Sequence, residues 1–187
     1  MTKRDEGALP YVYIDVMVIL DIIRGRKNKA SFALMEEIRN GHIKGCTSAF
    51  SLLELIDKEQ EYTLIWRMIK DGYSFDEILR ERKNRNLKEH DLIEAVDKID
   101  RIFVKQYRNY IDFYYLADEG WDKAIELVQV VNLTSEDAIH VASALMAGCD
   151  LLVSNDQNLV DNAKKVIPAC ETKDVLQILR EMEFELK

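Results

Sequence analysis

The chain has 187 residues, 48% of them hydrophobic, enough to bury a substantial core without staples and too many for disorder to be the default. Seven glycines and two prolines are too few for a turn-rich all-β design and favour helix. No apolar run approaches the roughly 20 residues a membrane helix needs, and a net charge of −8 argues against broad attraction to nucleic acid.

Arg4, Asp5 and Glu6 precede Pro10 without an apolar export signal, so a cytoplasmic location is expected. Tyr11 to Asp15 is a β-branched and aromatic run ending at an acid, and Val16 to Arg24 then predicts a helix closed by Gly25. Ala30 to Asn40 has helical apolar spacing and stops at Gly41, before a strand over Lys44 to Thr47. A further helix is predicted from Ser48 to Glu59. From Glu61 to Gln106 the pattern is helical throughout: Tyr62 to Lys70, Phe75 to Asn84, and an amphipathic stretch from His90. This block, about residues 60–108, is expected to be a helical insertion acting as a clamp, a dimer element or a partner site. Within it lies a basic island of nine residues, Arg80, Arg82, Lys83, Arg85, Lys88, Lys98, Arg101, Lys105 and Arg108, against six acids, a surface suited to a phosphate backbone.

Tyr110 to Leu116 predicts the third strand, Trp121 to Val131 and Ser135 to Met146 two helices, and Leu151 to Ser154 the fourth strand. Gln157 to Val166 is a further helix, Ala169 to Thr172 a weak strand, and Val175 to Phe184 a closing helix. Strands alternating with helices imply parallel pairing and right-handed crossovers, hence one domain spanning residues 1–187, a three-layer α/β/α sandwich on a mostly parallel sheet of about five strands. Cys46, Cys149 and Cys170 are odd in number and lack CxxC spacing, so buried reduced thiols are expected.

Function in such sheets collects at the carboxyl ends of the strands. Asp15 ends the first strand and Asp156 follows the fourth, while Glu54 lies in the helix after the second strand and Asp137 in the first turn of the helix before the fourth. Four carboxylates at one edge would suit Mg²⁺ or Mn²⁺, which keep waters and accept phosphate oxygens. Each acid also has a structural reading: Thr134 with Asp137 and Ser51 with Glu54 have capping-box spacing, and Asp15 and Asp156 stand at N-cap positions. Capping alone leaves Asp137 unexplained, because the helix it opens is apolar nearly all round and offers no Lys or Arg as counter-charge. Asp150 begins the fourth strand and belongs at the opposite rim. His140, one turn after Asp137, reads first as a hydrogen-bonded core histidine and Asp21 as a solvated helix position. Ser154 and Asn158 read as turn and cap residues, and the aromatic run from Tyr107 to Tyr115 as core packing on alternate strand faces.

Three segments carry a resemblance. Tyr13 to Ile23 (YIDVMVILDII), Ser48 to Leu55 (SAFSLLEL), and Ser135 to Leu145 (SEDAIHVASAL) followed by Gly148 to Asp156 (GCDLLVSND) resemble, in order, the motifs of the PIN-domain family, including its VapC-like ribonucleases. The resemblance implies an endoribonuclease that hydrolyses RNA with a metal-activated water. Asp15, Glu54, Asp137 and Asp156 would be its catalytic and metal-binding residues and Mg²⁺ or Mn²⁺ its cofactor. It further implies RNA as substrate, a homodimer, and the toxin role of a toxin–antitoxin pair with an antitoxin protein as partner. The family usually has a small polar residue followed by Asn or Ser after the first Asp, where this chain has Val16 and Met17. That departure and the long helical segment favour the alternative, a PIN-like module that binds nucleic acid or protein with weak catalysis or none.

Overall fold

The computed structural model describes residues 8–84 and 87–184. Five strands, β1 (Tyr11–Ile14), β2 (Lys44–Ser48), β3 (Ile111–Tyr114), β4 (Leu151–Val153) and β5 (Ala169–Cys170), form one sheet in the order β3-β2-β1-β4-β5. Every pairing is parallel. Strands of such a sheet are buried on both faces, so their residues sort into two cores by simple alternation. Val12, Ile14, Leu151, Val153 and Ile111 pack on one side, while Tyr13, Leu152 and Cys46 pack on the other.

The first core is closed by α1 (Val16–Ile23), α2 (Lys29–Arg39), the start of α3 (Phe50–Lys70) and α10 (Val175–Glu181). Residues from the chain just before β3 also join it, where α5 (Glu89–Ile99) runs through a π-helical stretch, Asp100–Val104, into α6 (Lys105–Tyr107). Phe103 on that stretch is fully buried and packs edge-on against Phe113. On the opposite face lie α7 (Asp118–Val131), α8 (Ser135–Met146) and α9 (Gln157–Ala163). The result is the expected α/β/α sandwich. A small satellite cluster of Leu64, Met68 and Ile78 joins α3 to α4 (Phe75–Asn84).

Three local expectations are corrected. The two helices predicted on either side of residue 60 are one 21-residue helix, α3. At the join Glu59 is fully buried, ion-paired with Arg24 and with Lys98 (2.9 Å), and the Arg24 guanidinium lies 4.4 Å from the centre of the Tyr62 ring. Ser51 does not cap this helix. Its hydroxyl instead accepts a hydrogen bond from Thr47 (3.0 Å), and the helix begins one residue earlier with no side-chain cap. Asp21 is not solvated. It is 4% exposed and accepts hydrogen bonds from Asn28 Nδ2 (2.7 Å), Ser31 Oγ (2.7 Å) and Asn155 Nδ2 (2.8 Å), because α2 and the loop after β4 close over the face of α1 that spacing alone leaves open.

Cys46, Cys149 and Cys170 are buried and unbridged, as expected. Among the described residues no helix is long and apolar enough to cross a membrane.

Candidate active site

Strand order reverses between β1 and β4, since the chain leaves β1 toward β2 on one side and reaches β4 on the other. In an open α/β sheet the crevice outside the carboxyl ends of two such strands is the default ligand site. The loops leaving these strands are stitched together. The backbone N–H of Asp15 donates to Val153 (3.0 Å), and Ser154 Oγ donates to Asp15 Oδ2 (2.6 Å) while accepting from the Asp156 N–H (2.9 Å).

Asp15 is 3% exposed and caps α1, its Oδ2 also accepting from the Met17 N–H (3.2 Å). Val16, where the family usually places a polar group, is fully buried in the first core. Ser154, from across the switch point, and the Met17 backbone supply hydrogen bonds to this carboxylate. Asp156 is exposed and caps α9, with Oδ1 accepting from the N–H groups of Asn158 (2.9 Å) and Leu159 (3.3 Å). Asp137 stands in the first turn of α8, where its N–H donates to the Oγ1 of the cap residue Thr134 (3.1 Å).

His140, one turn along α8, is buried and hydrogen-bonded as expected, but its partners join three elements. Nδ1 shares a hydrogen bond with the Tyr13 hydroxyl (2.8 Å), Nε2 donates to Glu54 Oε2 (2.6 Å), and the same Nε2 lies 4.0 Å from Asp15 Oδ1. The other Glu54 oxygen, Oε1, pairs with Lys58 Nζ at 3.1 Å, one turn along α3. Asp15 and Glu54 therefore converge on one imidazole, and Asp15 and Asp156 both lie close enough to Asp137 for their charges to act on it.

The electrostatics split the four acids into two kinds. Burial alone would raise the Glu54 carboxyl, but the hydrogen bonds and charges of His140 and Lys58 outweigh it and hold Glu54 below the usual range. His140 responds in the opposite sense. Burial disfavours its cation, yet the Glu54 hydrogen bond and the charges of Asp15, Glu54 and Asp137 raise it above the ordinary value. Asp137 is compensated only in part. Burial, followed by the charges of Asp156 and Asp15, pushes its carboxyl up, and the Thr134 hydrogen bond and His140 offset only part.

Among the described residues no three His, Cys, Asp or Glu side chains are drawn together into a ready-made metal cage. The like charges of Asp156 and Asp15 act against that of Asp137, and Glu54 is turned onto His140 and Lys58. A half-buried carboxylate destabilised by two others, in a set of carboxylate oxygens only, fits a hard divalent cation.

Other expectations resolve plainly. Asp150 sits at the amino edge, its carboxylate accepting from the Tyr11 N–H (2.9 Å), well away from the rim. Three members of the basic island are engaged elsewhere: Lys98 pairs with Glu59, Arg82 with Glu61 and Lys105 with Asp100. The side chains of Lys83 and Arg85 lie outside the described residues. Tyr107 is buried, but Tyr115 is 76% exposed, so core packing does not account for the whole aromatic run. Lys58, Tyr13 and Asn155 were missed from sequence. For Lys58 the signal was present as the Glu54–Lys58 i,i+4 spacing on a helix.

An all-parallel sheet with acids gathered at its switch point defines an α/β protein whose chemistry belongs at that rim. A family model for the PIN domain matches residues 12–165, and the chain belongs to that family. PIN domains are generally nucleases and typically use divalent metals. Among solved structures the chain is similar to one described as FitAB bound to IR36 DNA fragment, with a TM-score of 0.53, 10% identity, and coverage of 86% of this chain and 94% of that one. It also matches PAE2754 from Pyrobaculum aerophilum with a TM-score of 0.45, 15% identity, and coverage of 95% and 99%. At these identities the likeness concerns the fold. A search of curated proteins finds no match.

Proposed function

We propose that this protein is a metal-dependent endoribonuclease, the toxin of a toxin–antitoxin pair acting in the cytoplasm, and that Asp15, Asp137 and Asp156, with Glu54 beside them, form its site. The observation that carries this is the half-buried Asp137 carboxylate at the switch-point rim, where Thr134 and His140 offset only part of what burial and the charges of Asp156 and Asp15 impose. A structural acid would be paired, as Glu59 and Asp21 are in the same molecule.

Mg²⁺ or Mn²⁺ held by these carboxylates would supply an activated water and offset charge on the phosphate. The chain's own residues do the remaining work. Ser154 and the Met17 N–H orient Asp15, the α9 N-terminus fixes Asp156, and Thr134 positions Asp137. His140, held by Tyr13, keeps Glu54 beside the rim. The whole chain is read as one PIN domain that works as a homodimer, with an antitoxin protein as partner.

The test is cleavage of labelled RNA by purified protein in Mg²⁺ or Mn²⁺. Loss of cleavage in Asp137→Asn supports the reading, and equal cleavage by wild type and variant refutes it. Because FitAB is described with a DNA fragment, labelled DNA serves as the second substrate.

A further inference from the structure

We infer that Lys58 is a substrate-binding residue, which Glu54 tethers at the acidic rim so that its ammonium meets a phosphate of the RNA. The inference rests on the nuclease reading and assigns to this site its contact with the polyanion.

A rim of carboxylates on a chain of charge −8 repels RNA, so docking needs positive charge close to the reacting phosphate. In the basic island, Arg82, Lys98 and Lys105 are already paired with Glu61, Glu59 and Asp100. Lys58 is differently placed. Its Nζ lies 3.1 Å from Glu54 Oε1, and the charges of Glu136 at the start of α8 and Asp15 after β1 also act on it.

Its side chain remains 33% exposed, against 10% for Glu54. An ammonium carries three donors, and Glu54 engages one. Glu54 in turn has no oxygen to spare, with His140 on Oε2 and Lys58 on Oε1. A carboxylate held at both oxygens acts as an anchor, and the anchored lysine keeps further donors in a position where the charge of Asp15 acts on it. An anion arriving at Asp15 with a divalent ion would meet Lys58 as a second positive group, while Glu54 stays where it is.

Kinetics on labelled single-stranded RNA in Mn²⁺ test this, together with calorimetric Mn²⁺ titration in the absence of RNA. For Lys58→Met the expected result is a KM raised roughly tenfold, the loss of one charge-assisted hydrogen bond. The slope of log(kcat/KM) against log salt should become shallower by about 0.7, one single-strand phosphate contact. Mn²⁺ affinity should be unchanged or tighter, and Lys58→Arg should restore most of the KM. Lys58→Gln, checked by thermal melting, covers the case in which Lys58→Met does not fold. Wild-type KM and salt slope in the folded variants would overturn the inference, as would a KM effect matched by weaker Mn²⁺ binding, which would make Lys58 a support for the ion. If the wild type itself cleaves no RNA, the nuclease reading fails and the phosphate role with it. Wild-type cleavage that is indifferent to Lys58 removes the present inference alone.

Discussion

Replacing Asp137 by Asn should make the metal-free protein more stable and the metal-loaded protein less so. Asp137 is half-buried in the first turn of α8, and its charge is opposed by burial and by Asp156 and Asp15. Close unit charges repel by about 1 kcal/mol in bulk water and about 4 kcal/mol near a protein surface. Solvent screening at a half-exposed carboxylate favours the lower figure. Against this relief, the variant gives up a favourable charge at a helix N-terminus, about 0.3–1 kcal/mol. The backbone hydrogen bond to Thr134 survives the substitution. With about 1 kcal/mol relieved against each of Asp156 and Asp15, the net gain is on the order of 1 kcal/mol, which in a chain of this size raises Tm by about 2–4 °C. Saturating Mn²⁺ at about 100 times Kd should add about 2.7 kcal/mol to the wild type and far less to the variant. Differential scanning calorimetry in EDTA and in Mn²⁺ should therefore show the two proteins exchanging rank. A variant that melts below wild type in EDTA, or that gains as much from Mn²⁺, refutes the reasoning.

The stability of the metal-free protein should depend on pH through the His140–Glu54 pair. His140 is raised above its ordinary value of 6.5, so its contribution is complete below that pH and lost as pH rises through the folded value. Glu54 is lowered below 4.5, so its share is complete above that pH and lost on acidification through the folded value. Urea unfolding followed across pH should show the pair at full strength from 4.5 to 6.5, and His140→Gln should flatten the alkaline decline. Glu59→Gln should cost about 3–5 kcal/mol, because Arg24 and Lys98 lose a fully buried partner; an unchanged urea midpoint would contradict this. Asp21→Ala should cost about 2–4 kcal/mol by leaving Asn28, Ser31 and Asn155 without their acceptor, read as a lower Tm.

Periodicity located β1 and β4 most plainly, because these strands are buried on both faces and read as short apolar runs with an acid, Asp15 or Asp156, at or just beyond their ends. The helix ends marked by Gly25 and Gly41 were legible for a related reason: both glycines adopt a positive φ, which side-chain-bearing residues rarely take. The continuity of α3 was not legible, since a local pattern cannot tell a solvated Glu59 from one buried between Arg24 and Lys98. Asp21 was misread for the same reason, as its partners come from residues 28, 31 and 155. At the site, spacing placed Asp15 and Asp156 on the rim because the end of a strand is a local property. That Glu54 is committed to His140 and Lys58, while Asp137 is compensated only in part, follows only from how α3 and α8 meet over the sheet.

The most direct test of the central claim is a crystal structure of the protein soaked in Mn²⁺, with the ion located by its anomalous scattering. The account predicts a peak bonded to carboxylate oxygens of Asp15, Asp137 and Asp156, with Glu54 still on His140 and Lys58. A peak elsewhere, or no peak at Mn²⁺ concentrations that support cleavage, would contradict it.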